Sequence, residues 1–340
     1  MRLAPQGRRA WRRFVLRWAL IALVLTSCVA FMVEMPGKSY RGPLHPLHPL
    51  TSQEEELNVN LKKHILSLAG TIGERNLIHY KSLQNTHQYI ETFLEGQGYK
   101  VDSQEYLVEN AKVRNLIAEI RGGAKADEVV VIGAHYDTVF DCPGADDNTS
   151  GIAALLELAR LLKTAHPART VRFVAFVNEE PPYFQTANIG SWVYAKQLHS
   201  RNEKVVAAVS LETVGMYSDA EGSQHYPEGF SQFYPSKGNF IGFVGNISSR
   251  SLVREMIRSF RQTTSFPSEG VAAPQWIGGV GWSDHWSFWQ EGYPAVMVTD
   301  TAPFRNKNYH QPSDTPDTLD YQRMARVVQG LERVIAGFGK

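Results

Sequence analysis

The 340-residue sequence predicts a single α/β/α sandwich domain with a mostly parallel central sheet, preceded by an N-terminal transmembrane helix. Near-continuous apolar, β-rich runs at 129–133, 171–177, 205–211 and 295–298 read as strands buried on both faces. Helical apolar spacing lies between them, clearest at 150–165, where Ile152, Leu155, Leu156, Ala159 and Leu162 share one side. No second linker and no internal repeat divides residues 56–340, so the alternating elements belong to one helix-covered sheet.

Taken in chain order, residues 1–13 read as a short basic cytoplasmic segment and 14–33 as a transmembrane anchor. Arg2, Arg8, Arg9, Arg12, Arg13 and Arg17 precede an uncharged run at 18–33. Arg17 can snorkel to the interface while Phe14, Val15 and Leu16 extend the apolar length. The excess of arginine before the run places the N terminus in the cytoplasm and everything beyond about residue 40 outside it. Two other fates stay open: cleavage as a signal peptide, and lipidation of Cys28 in Leu25-Thr26-Ser27-Cys28. Residues 34–55, with Pro43, Pro46 and Pro49, read as a stiff spacer in which His45 and His48 are solvated. Residues 60–69 and 86–97 carry helical spacing, and 115–120 reads as a strand. Residues 215–245, rich in aromatic, Gly and Ser residues, read as a long loop that, with 278–282, is a candidate lining for a specificity pocket.

The 35 basic and 34 acidic residues leave a net charge of +1, which argues against a nucleic-acid partner. Most of the basic excess belongs to the amino-terminal segment, so the remainder is mildly acidic. With only Cys28 and Cys142, the chain has neither a disulfide framework nor a thiolate metal cluster, and any metal falls to His and carboxylates.

In open α/β sheets ligands bind beyond the carboxyl ends of the strands. There stand His135 and Asp137 after the first run, Glu179 and Glu180 after the second, and Glu212 after the third. Gly144-Ala145-Asp146-Asp147-Asn148-Thr149-Ser150-Gly151 opens a helix and supplies both caps and carboxylates. Tyr309-His310-Gln311-Pro312-Ser313-Asp314-Thr315 follows the last run. A lone His or Glu at a strand end is usually structural; three coincident strand ends argue for a metal site.

These segments, with Gly190-Ser191 after the glutamate pair and Ser283-Asp284-His285, resemble the co-catalytic dizinc aminopeptidases of metallopeptidase family twenty-eight, over roughly residues 60–325. Glutamate carboxypeptidases and glutaminyl cyclases are relatives of that family. The resemblance implies a zinc exopeptidase-like fold holding two Zn2+ per chain, with Asp147 bridging, His135 and Glu212 on one ion, and Glu180 and His310 on the other. Many relatives have Asp where this chain has Glu212. Glu179 would be the general acid/base, and Asp137 would accept the second ring hydrogen of His135. The implied function is an aminopeptidase acting on peptide substrates, a zinc-bound hydroxide attacking the scissile carbonyl. Glutaminyl cyclisation at one zinc, carboxypeptidase action and a non-catalytic binding module are the alternatives. His285 competes with His310 as a ligand, and Cys142 lies close to the same loop. Oligomeric state is not legible.

Overall fold

The computed structural model describes residues 7–39 and 48–338. Among them one sheet contains β1 (Val101–Val108), β2 (Ala111–Ile120), β3 (Lys125–His135), β4 (Arg169–Phe176), β5 (Lys204–Glu212), β6 (Ile241–Gly245), β7 (Ser268–Ala272) and β8 (Ala295–Thr299), in the order β1-β2-β4-β3-β5-β8-β6-β7. The central strands β4, β3, β5 and β8 are parallel, with His135 level with Phe176 and Glu212 level with Thr299. Antiparallel β2 and β6 flank them. This register delivers four carboxyl ends to one edge of the sheet.

The apolar runs are continuous because both faces are covered. Val130 and Ile132 enter the core beneath α4 (Gly151–Leu162), α6 (Arg250–Thr263) and α8 (Tyr321–Phe338). Val129 and Val131 enter the core beneath α5 (Gly190–Ser200) and α7 (His285–Gln290). Helices α2 (Ser52–Ile65) and α3 (Tyr80–Gly96) pack outside α4, so α4 is buried nearly all round. Thr51 and Glu54 close a reciprocal capping box at the start of α2, satisfying two amide donors there. Helix α1 (Arg8–Val33) includes a stretch, Trp11–Val33, long and apolar enough to cross a membrane.

Some boundaries differ from the sequence expectation. Helix α2 begins at Ser52, inside the anticipated spacer 34–55, and residues 34–39 lie against α6 and β7. Arg2 and the middle of the spacer, with Pro43, His45 and Pro46, lie outside the described residues. The anticipated loop 215–245 ends in β6, whose run Ile241-Gly242-Phe243-Val244-Gly245 pairs with β8 on one side and β7 on the other. Strand β1 is largely polar because it is an edge strand with one side in water.

Phe243 of β6 and Phe260 of α6 are both fully buried and meet edge-on at 5.3 Å. Phe243→Ala is therefore expected to lower unfolding stability by about 3–5 kcal/mol, measured by urea titration.

Candidate metal centre

The expected site residues gather at the same edge of the sheet. His135 is the last residue of β3 and Glu212 the last of β5, while Glu179 and Glu180 follow β4 by three and four positions. His310 comes from the loop after β8. The chain turns sharply at these exits: Asn178, Thr213 and His310 hold left-handed φ values of 60°, 48° and 56°. Such conformations cost about 1–3 kcal/mol each and persist where surrounding contacts enforce them.

Asp147 lies between two imidazoles. Its Oδ1 is 3.3 Å from His135 Nε2, and its Oδ2 is 3.1 Å from His310 Nε2. Glu212 Oε2 stands 3.4 Å from His135 Nε2, and Glu180 Oε2 3.3 Å from His310 Nε2. Among the described residues three overlapping donor sets result: His135-Asp147-Glu212 and Asp147-Glu180-His310, which share Asp147, and His135-Glu179-Glu180. Two donors each bound at about 2.1 Å to a tetrahedral zinc stand roughly 3.4 Å apart, so the spacing fits such ions. His135 Nε2, His310 Nε2, Asp147 Oδ1 and Glu180 Oε1 are buried yet make no hydrogen bond. Buried polar atoms normally have partners, and a cation would supply the missing ones.

The electrostatics agree. Burial disfavours charge on His135, yet the nearby carboxylates of Glu212, Asp137 and Asp147 hold it well above the ordinary histidine range. His310 is likewise raised, to about 10, by Asp147 and Glu180 against the opposing effect of burial. Burial and the charge of Asp147 push Glu180 up to about 7, and burial raises Glu212. In the ion-free protein these groups compete for protons, the behaviour of a donor set built for a metal cation.

Glu179 is buried beside the two sets that share Asp147, with Oε2 3.9 Å from His135 Nε2. Burial, then Glu180, Glu212 and Asp284, hold its carboxyl well above the ordinary range despite His135. Asp137 faces the second ring nitrogen of His135 and also the backbone of the glutamate pair. Its Oδ1 is 3.6 Å from His135 Nδ1, beyond hydrogen-bond reach, while its two oxygens accept the amide hydrogens of Glu179 and Glu180 at 3.1 Å each. It therefore fixes the backbone that carries both glutamates.

The loop bearing Asp147 is clamped from three directions. The carboxylate of Asp314 accepts the amides of Asp146 and Asp147 at 3.0 and 3.1 Å. Asn148 accepts from Gly151 and Thr213 and donates to Leu211 O, tying the loop to β5. A Cβ on Gly151 would fall 2.4 Å from Leu211 O, so this approach needs glycine. Below lies Arg75, whose guanidinium donates to Tyr136 O, Gly73 O, Pro143 O, Gly144 O and Thr149 Oγ1 at 2.6–3.1 Å. Burial lowers it to about 10, still charged at neutral pH. Asp146 faces away, accepting from Gly215 N and Asn306 Nδ2, which separates it from Asp147. Ser283 Oγ donates to Glu212 Oε2 at 2.6 Å.

Sequence reasoning missed the part played by Arg75, since a single arginine in a loop carries no motif, and left Asp314 and Ser283 without one. His285 is not brought to the donor sets: its Nε2 bonds Val280 O at 2.7 Å, its ring packs on Trp289, and burial lowers it to about 4. Cys142 is buried against Gln311 O, and burial pushes its thiol up to about 12, which leaves no thiolate nucleophile. Residues 224–244 and 277–282 do wall a cavity of about 100 Å3 that reaches Glu212 and Tyr309, with Tyr226, Phe230, Phe240 and Phe304 in its lining.

A family model described as Peptidase family M28 matches residues 115–335. The chain is 38% identical over 280 residues to the uncharacterised protein YfbL of Escherichia coli strain K12, covering 80% of this chain and 85% of that one. The fold matches a zinc aminopeptidase of Bacillus subtilis with a TM-score of 0.67 at 14% identity, over 83% of this chain and 94% of that chain. It also matches the glutaminyl cyclase of Fimbriiglobus ruber with a TM-score of 0.62 at 22% identity, over 87% and 99%. The region matched by the family model contains these donor sets and runs from β2 into α8, and the chain belongs to Peptidase family M28.

Proposed function

We propose that the chain is a membrane-anchored aminopeptidase working with two zinc ions. The observation that carries this reading is the division of the Asp147 carboxylate, one oxygen toward His135 and the other toward His310. His135, Asp147 and Glu212 would hold one ion, and Asp147, Glu180 and His310 the other. Zinc bound there supplies Lewis acidity, which polarises a peptide carbonyl and makes water nucleophilic near neutral pH.

The protein's own groups do the remaining work. Glu179, buried and with its carboxyl raised, takes the proton of the attacking water and passes it to the departing amine. Asp137 holds the two glutamates by their amides, so one can ligate while its neighbour carries the proton. Arg75, Asp314 and Asn148 fix Asp147. The aromatic cavity beside Glu212 receives the substrate side chain and keeps water from it. Helix α1 would span the membrane with its arginine-rich end in the cytoplasm and the peptidase domain, residues 56–340 with α2, outside.

Glu179→Gln is expected to lower kcat by roughly 100- to 10,000-fold while zinc content is unchanged; retention of full hydrolysis of aminoacyl amides would remove Glu179 from the mechanism. Metal analysis should find about two zinc ions per chain, and chelation should lower Tm reversibly. Because His310 and Glu180 must shed protons to ligate, zinc affinity should fall as pH drops below about 10 and more steeply below about 7. One zinc per chain, with ammonia released from amino-terminal glutamine, would favour the cyclase reading instead. Arg75→Met leaves buried carbonyls unpaired around the Asp147 loop and should weaken zinc affinity about 10- to 100-fold, measured by chelator competition.

A further inference from the structure

The junction between α1 and the peptidase domain is a packed contact. Arg250 Nε of α6 donates to Phe31 O at 2.6 Å, and its guanidinium sits 4.0 Å above the Phe31 ring. Arg254 Nη1 donates to Glu34 O at 2.5 Å, Arg261 Nη1 to Pro36 O at 3.0 Å, and the amide of Ser268 to Ser39 Oγ at 3.2 Å. These arginines supply donors to carbonyls at and beyond the end of α1 that no intrahelical amide reaches. Within residues 11–33 only Val29, Met32 and Val33 are partly covered, so the rest of the helix projects away from the domain.

Large apolar side chains are exposed at this same end. Phe31 is 46% exposed, Ile247 41% and Trp276 81%. Ile247 follows β6, and its carbonyl accepts the amide of Arg250. Strand β7 continues into Ala273, whose amide bonds Gly245 O at the end of β6, and Trp276 comes three residues later. Ile247 and Trp276 therefore extend from the paired ends of β6 and β7, beside the point where α1 leaves.

We propose that Ile247 and Trp276, with Arg250 and Arg254 beside the end of α1, form a second membrane contact that seats the peptidase domain on a bilayer containing anionic lipid. The proposal rests on the anchored reading of α1. Val33 closes the apolar span, so the residues packed around it lie at the depth of the outer headgroups. Tryptophan partitions to that depth, and arginine there pairs with lipid phosphate. A bilayer is favoured over a protein partner because the apolar surface continues directly into the lipid-facing helix. The loop carrying Trp276 goes on to wall the aromatic cavity through Ile277, Gly278 and Trp282. Lipid contact thus holds one wall of the substrate cavity at the membrane surface, which suits peptides whose amino termini lie at the bilayer.

The test uses the full chain carrying Cys28→Ser, which leaves only buried Cys142, reconstituted into phosphatidylcholine vesicles with and without phosphatidylglycerol. A nitroxide is attached after Leu23→Cys within the span, Trp276→Cys in the patch, or Ile78→Cys, at a site 71% exposed near the metal-bearing edge. Power saturation then compares collisions with oxygen, which partitions into lipid, and with a nickel chelate, which stays in water. The expected oxygen-to-nickel ratio is highest at position 23, intermediate at 276 and lowest at 78, and the ratio at 276 rises when phosphatidylglycerol is present. If position 276 matches 78 while 23 reads as lipid, the anchor stands and the seating is overturned. A label at 276 shielded from both relaxers marks protein contact and also overturns it, as does indifference to phosphatidylglycerol. An aqueous reading at position 23 overturns the anchor itself.

Discussion

The Asp147 carboxylate, held rigidly between His135 and His310, is the constraint around which the carboxyl edge of the sheet is organised. An aspartate so deeply buried would ordinarily be driven toward its neutral form. Here the two imidazoles outweigh burial and hold its carboxyl below the usual range. Five carboxylates, Asp137, Asp147, Glu179, Glu180 and Glu212, within 4 Å of two imidazoles are tolerable in a dry site only with cationic compensation, from protons or from metal. The surrounding structure aims these donors before any cation arrives. Asp314, Asn148 and Arg75 fix the loop, Ser283 orients Glu212, and Asp137 fixes the glutamate pair.

Much of this site is legible in the sequence because strand-end ligands adjoin the runs that carry them. His135, Glu179, Glu180 and Glu212 follow or end β-rich segments, and sheet topology brings those ends together. Asp147 and His310 come from loops, and only the resemblance to family twenty-eight implied their pairing. The supporting groups are less legible. Arg75 is distant in sequence from all the carbonyls it binds except Gly73 O, and no spacing announces it. Asp137 is marked by the motif that carries His135, whereas the backbone amides it also accepts have no sequence signature.

The same contrast holds for the fold. Central strands with both faces covered become continuous apolar runs, and β3, β4, β5 and β8 were readable for that reason. Edge strand β1 is polar, while β6 and β7 are short and glycine-containing, so periodicity gives them no clear mark. The composition of the segment after the apolar helix is that of a stiff spacer. Its first residues also find hydrogen-bond donors on α6, a tertiary contact that composition does not announce.

Zinc K-edge X-ray absorption on the zinc-loaded full chain tests the shared carboxylate most directly. The account predicts nitrogen and oxygen ligands at about 2.0–2.2 Å and a zinc–zinc vector of roughly 3.5–4 Å. A first shell without imidazole, or a loaded protein with no metal–metal vector, would contradict the claim that Asp147 joins two ions.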